Sequence, residues 1–172
     1  MDIATIGIDP GKAGSFCLLV QGGETIVFRD WPKSGDLADY YQRITRLMRR
    51  YEIIMGILER VHAMPKQGVS STFSFGVNFG IWQGWLATWQ IPHMLVPPQT
   101  WMKGLTSKAD GRNTKQQICS AAKRMFPQAE LIGPRGGILD GRADSLMMAY
   151  YAMLISAKGG IIRQASKPSR RS

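Results

Sequence analysis

The stretch IATIGIDPGKAGSFCLLVQGGETIVF, residues 3–28, decides how this chain folds. IATIGID (3–9) is an apolar run that ends on Asp9 and is closed by Pro10-Gly11, the signature of a strand running into a turn. SFCLLV (15–20) and TIVF (25–28) are two further apolar runs, and Gly22-Gly23 between them suits a tight hairpin. The segment therefore predicts three strands in an antiparallel meander. A carboxylate, Asp9, closes the first of them.

Beyond the meander the period changes. Leu37, Tyr40, Tyr41, Ile44, Leu47, Met48 and Tyr51 fall at helical spacing, so residues 36–51 predict an amphipathic helix with Asp36 as its N-cap. Arg43, Arg46, Arg49 and Arg50 lie largely off that apolar stripe. IIMGIL (53–58) reads as a buried strand ending in Glu59, and a strand-helix-strand unit favours a parallel neighbour. Residues 71–89 predict a second helix, HMLV (93–96) a short strand, and residues 104–113 a polar loop. A helix over 115–125 capped by Thr114, a glycine-rich loop over 128–139 and a last helix over 140–157 complete the order βββαβαβαα. This is α/β organisation, a mixed sheet with helices around it, in one domain over residues 1–158. Residues 159–172 carry basic and no acidic side chains and read as a disordered tail.

The whole chain has 172 residues, 22 Lys and Arg against 12 Asp and Glu, and a formal net charge of +10. The excess is uneven. Residues 1–59 hold seven basic and eight acidic side chains; residues 60–172 hold fifteen and four. Such an imbalance points to a polyanionic partner, nucleic acid first. No run of 18 apolar residues exists, so no membrane span is expected. The start shows no basic region followed by an apolar stretch, and Cys17 and Cys119 stand far apart, which together suggest a reducing, cytoplasmic setting.

The acids carry the chemistry. Asp9 and Glu59 each end an apolar strand, and parallel neighbours place those ends side by side, where sites form in sheets with helical crossovers. Asp140 and Asp144, four apart, share one face at the start of the last helix. Each has an ordinary explanation: a turn starter, an ion-pair partner, an N-cap, a residue favoured by the helix dipole. Together they would repel one another and raise one another's pKa values unless divalent cations neutralised them. Two Mg²⁺ ions ~4 Å apart can clamp the attacking and leaving oxygens of an in-line phosphoryl displacement. A carboxylate cluster inside a basic chain thus suggests metal-dependent phosphodiester hydrolysis.

These residues resemble the RuvC-like Holliday-junction resolvases of the ribonuclease H-like superfamily. IGIDPGKAG (6–14) is similar to the opening strand-and-turn motif, ILERVHAMPKQGVSSTFSFGVNFG (57–80) to the second, and DGRADSLMMAYY (140–151) to the third. The likeness covers about residues 3–155 and looks nearest to phage and other divergent members. It implies a ribonuclease H-like fold with a five-stranded mixed sheet, a homodimer, and paired symmetric nicks in four-way or branched DNA. It carries catalytic and metal-binding roles onto Asp9, Glu59, Asp140 and Asp144, with two Mg²⁺ ions per site and Mn²⁺ as a substitute. One departure is plain: members often space the last two positions three apart, whereas here they are four apart with Gly141 between.

PPQTWMK (97–103) and TKQQI (114–118) resemble basic segments near the family's active site, which implies that Lys103 and Lys115 offset charge developing at the scissile phosphate. Lys12, Lys66, Lys108 and Arg112 join them as expected DNA contacts. Where members often carry an aromatic that stacks at the junction centre, this chain has His62, and Phe73 or Phe75 are the alternatives. The second helix forms the dimer interface in the family, which implies such a role for Phe75, Phe79, Trp82 and Leu86. A core stripe explains the same spacing, so one face is expected to serve each use. A ribonuclease H acting on RNA–DNA hybrids and a non-catalytic junction-binding protein are the rival functions. The sugar-kinase and actin folds need two such domains, for which 172 residues are too few.

Overall fold

Along the first strand, side chains alternate between two buried surfaces, and the architecture is built on that alternation. This computed structural model describes residues 1–33, 36–60 and 68–159. β1 (Asp2–Ile8) pairs antiparallel with β2 (Ser15–Val20), and β2 antiparallel with β3 (Ile26–Asp30). Gly22 and Gly23 close the hairpin at φ 99° and 79°, values that favour glycine. β4 (Tyr51–Glu59) lies parallel to β1, and β5 (His93–Val96) parallel to β4. The sheet order is β3-β2-β1-β4-β5, the five-stranded mixed sheet expected.

Ala4, Ile6 and Ile8 face a layer made by α1 (Leu37–Met48) and α2 (Val69–Thr88). The Asp36 carboxylate caps α1 by accepting the Ala38 N–H at 2.7 Å. Thr5 and Gly7 face the other layer, made by α4 (Thr114–Met125) and α5 (Asp140–Lys158). α3 (Pro98–Met102) is a short helix after β5, with proline at its first position, where no N–H is required. It and a single 3₁₀ turn at Lys108–Asp110 interrupt stretches that read as loop from sequence. Cys17 and Cys119 are buried free thiols.

Several expectations shift. Tyr51 fits the helical stripe, yet it opens β4 opposite Asp2, because backbone pairing outweighs one more apolar helix position. Asn113, not Thr114, caps α4; its side chain accepts the Gln116 N–H at 3.0 Å. Trp82 and Leu86, expected at a dimer interface, belong to the core of the single chain. Both are 0% exposed within one chain, with Trp82 stacked on Phe16 at 5.9 Å. Period 3.6 aligns Phe75, Phe79, Trp82 and Leu86 on one stripe, and the lower half of it faces the sheet. Burying each such side chain contributes about 1.5–3 kcal/mol. Phe75 and Phe79 are half-buried and stack on each other at 6.3 Å. The tail expected over 159–172 lies, apart from Gly159, outside the described residues.

Candidate active site

β1 and β4 run side by side with Ile8 opposite Leu58, so the next residues, Asp9 and Glu59, emerge together at the carboxyl end of the sheet. Asp9 sits where β1 turns toward β2; its Oδ1 accepts the Gly11 N–H at 2.9 Å. Glu59 is 8% exposed, and its Oε1 accepts the indole N–H of Trp101 at 3.2 Å. Trp101 is itself buried on α3, so that short helix orients the carboxylate.

α5 delivers the other two acids, and it is seated unusually tightly. The Thr5 hydroxyl donates to the Ala149 carbonyl at 2.7 Å. A Cβ on Gly7 would lie 2.0 Å from the Ser145 carbonyl oxygen, and one on Gly141 would lie 2.2 Å from that of Ala13. Glycine at these two positions lets the helix backbone press directly on β1 and on the turn after it. The first turns of α5, with Asp140 and Asp144, are thereby brought over Asp9.

The electrostatics register the crowding. Burial, then Asp9 and Glu59, and then Asp140, push Asp144 up to about 8. Burial and the neighbouring Asp9 push Glu59 up to about 7, and the Trp101 N–H works against them. Asp9 rises to about 6 through burial; the Gly11 N–H opposes this and Asp140 adds to it. Among the described residues, one cation stands at the acids. Lys115, at the start of α4, bonds the Asp140 carboxylate, which holds its ammonium above the usual range.

A hard divalent cation fits this donor set in kind, since it is carboxylate oxygen throughout, with no thiol or imidazole. Among the described residues, no three His, Cys, Asp or Glu side chains stand close enough to form a ready-made cage. Mg²⁺ does not require one: it is usually held by one or two carboxylates, with water and phosphate oxygens completing its shell.

No protein-family model and no curated protein matches the sequence. Solved structures do match it. Thermus thermophilus RuvC in complex with a Holliday junction substrate aligns with a TM-score of 0.62 and 15% identity, over 91% of this chain and 96% of that one. A further Thermus thermophilus RuvC structure gives 0.58 and 16% over the same shares. The fold is RuvC-like.

The remaining expected residues are spread around this RuvC-like sheet. Lys115 stands at the carboxylates. Lys12 is exposed and lines a cleft of about 520 Å³ with Ser70, Ser71 and Ser74 of α2, beside the turn that holds Asp9. Lys103, Lys108 and Arg112 are exposed on the segment from the end of α3 to the start of α4. Phe73 is 72% exposed on α2. His62 and Lys66 lie outside the described residues. Sequence reasoning missed Trp101, whose burial beside Glu59 follows from the placement of α3 after β5. It also missed the seating role of Gly7 and Gly141, which spacing along the chain cannot reveal.

Proposed function

We propose that this chain is a Holliday junction resolvase, a structure-specific endodeoxyribonuclease that makes paired symmetric nicks in four-way or branched DNA. One observation carries the reading. Carboxylates from β1, β4 and α5 gather in a RuvC-like fold, where burial first and one another's charge second disfavour the ionised forms of Asp9, Glu59 and Asp144, a cost that bound cations would offset. Asp9, Glu59, Asp140 and Asp144 would hold two Mg²⁺ ions, with Mn²⁺ able to substitute. When bound, the ions supply charge neutralisation at the attacking and leaving oxygens of the phosphodiester.

The chain's own groups do the rest. Trp101 fixes the Glu59 carboxylate, and Gly11 fixes that of Asp9. Lys115 is placed to release Asp140 and meet charge that develops on the phosphate. Lys12, Lys103, Lys108 and Arg112 would hold the DNA backbone.

Paired nicks need two sites related by a two-fold axis, so a homodimer belongs to the proposal. α2 supports it. The helix contains no charged residue, and Phe73 and Val77 are exposed on it. A Cβ on Gly80 or Gly84 would meet nothing within 4 Å. These residues form one face, pointing away from the buried Trp82 and Leu86, and small residues there permit close approach of a second copy.

The test incubates a labelled four-way junction, a linear duplex and an RNA–DNA hybrid with the protein and Mg²⁺, beside Asp9→Asn. Junction resolution that disappears in the variant is expected. Cleavage of the hybrid alone would show a ribonuclease H and overturn the proposal; binding without cleavage would show a junction-binding protein. Sedimentation giving only monomer at micromolar concentration would refute paired cutting.

A further inference from the structure

The charge count over residues 1–59 is close to balanced, yet the fold sorts it. Five of the seven basic residues in that stretch are Arg29, Arg43, Arg46, Arg49 and Arg50, one at the end of β3 and four on or just after α1. Arg43, Arg46 and Arg50 recur at three and four residues, so they form one row along the edge of the buried stripe of Ile44, Leu47 and Met48, with Leu47 at its floor. Arg29 reaches the same place from a different element. Tyr40 ties α1 to that strand by donating its hydroxyl to the Arg29 carbonyl at 2.8 Å. Arg29, Arg43, Arg46 and Arg50 then line one open groove of about 420 Å³, with a single acid, Asp39.

Asp39 is engaged with Arg43 at 2.7 Å. Arg46 bonds only the neutral Gln42, at 3.2 Å, and among the described residues neither Arg46, Arg49 nor Arg50 has a carboxylate partner. Folding has thus gathered like charges that repel one another and left them in solvent. Among the described residues the bonds these guanidinium groups make are local: Arg29 donates to the Phe28 carbonyl at 2.7 Å, Arg43 to Asp39 and Arg46 to Gln42. The row lies on the α1 face of the sheet, whereas Asp9, Glu59, Asp140 and Asp144 meet on the α5 face, so it is no extension of the catalytic cleft.

We infer that the Arg29, Arg43, Arg46 and Arg50 groove is a second footing for DNA, gripping the phosphate backbone of a duplex arm away from the point of cleavage. This rests on the proposed function. Guanidinium groups suit phosphate oxygens, which they meet with paired donors. From Arg43 to Arg50 the helix rises about 10 Å, and one strand of a duplex presents a phosphate about every 3.4 Å along the axis. The row therefore matches a short run of phosphates, and it reads no base. β3 runs parallel to β1, so Arg29 stands toward the end of the sheet that carries Asp9, and α1 leads away from that end. An arm leaving the site along α1 meets the row.

The test is Arg46→Gln with Arg50→Gln, which removes two unpaired charges, keeps good helix formers, and leaves the Asp39–Arg43 pair intact. Junction affinity is measured from 50 to 200 mM salt, without divalent cations, on junctions with long and with very short arms. Losing two phosphate contacts should flatten the slope of log K against log salt by about 1.8, so wild type should lose about 12-fold more affinity over that range than the variant. On short arms the two proteins should bind alike. In cleavage, the change should fall on the concentration giving half-maximal rate, not on the plateau. If wild type cuts junctions but the variant binds long arms with an unchanged slope, the inference falls; the row then serves an acidic protein partner or only solvent. If wild type neither binds nor cuts branched DNA, the proposed function falls and takes this footing with it.

Discussion

Replacing Gly141 by alanine tests whether close helix seating, and not merely the presence of four acids, builds the site. The residue lies in the first turn of α5, where alanine is the better helix former by about 1 kcal/mol. Propensity alone therefore predicts a more stable protein. The structure predicts a conflict. The new Cβ would lie 2.2 Å from the Ala13 carbonyl oxygen and 3.0 Å from the Gly14 Cα, both of them backbone atoms that cannot swing aside. Ordinary contact begins near 3.4 Å, so the start of α5 must retreat by about 1.2 Å, and a misplacement of that size can cost about 10²-fold in rate. Overpacking of this kind costs about 1–3 kcal/mol, which propensity offsets in part. The variant should remain folded, melt a few degrees lower at most, and cut a four-way junction about 100-fold more slowly under single-turnover conditions. Gly137→Ala, whose Cβ would meet nothing within 4 Å, should cut like wild type. Cleavage by Gly141→Ala within threefold of wild type would refute the reasoning, because Asp140 and Asp144 would then not depend on that contact.

Other predictions follow from the electrostatics. Asp9, Glu59 and Asp144 sit near 6, 7 and 8 in the folded chain, above the value of about 4 for free carboxylic acids, so between pH 4 and 8 the folded state holds more protons. Without divalent cations, stability should fall as pH rises through that window, by up to about 1.4 kcal/mol per pH unit for each group still protonated when folded; thermal melts at pH 5 and pH 8 measure this, and a rise would contradict it. Asp144→Asn should melt higher than wild type at pH 8 without metal, lose the stabilisation that Mg²⁺ gives, and cut nothing. Trp101→Phe removes the N–H that favours the charged form of Glu59, so the pH at which cleavage sets in should move upward; an unchanged pH–rate profile would dismiss that role. Lys115→Gln should slow cleavage by about 10²-fold while changing stability by less than about 1 kcal/mol, since the ion pair is largely exposed.

Local signals account for what sequence reading achieved. The strands 15–20 and 93–96 have the residues expected, because a run of apolar side chains bounded by turn residues marks itself. Asp9 and Glu59 stood out as candidates because each places a charge at the end of an otherwise buried apolar run. The core position of Trp82 and Leu86 was not legible, because their spacing shows that a stripe is apolar, not what it packs on. The arginine row was hidden because a net charge summed along the chain cancels Arg46 and Arg50 against acids that lie elsewhere in space.

By itself, then, the sequence determined the meander, the helix periods and the carboxylates that could serve as ligands, since these depend on neighbours within a few residues. The tertiary structure decided which of these meet. Strand order put Glu59 beside Asp9, and glycines at 7 and 141 let α5 bring Asp144 over both. α3 turned Trp101 onto Glu59. The physical reason is one of range: turn chemistry and hydrophobic period act over a few residues, whereas repulsion between Asp9 and Asp144 exists only after the 134 residues between them have been folded away.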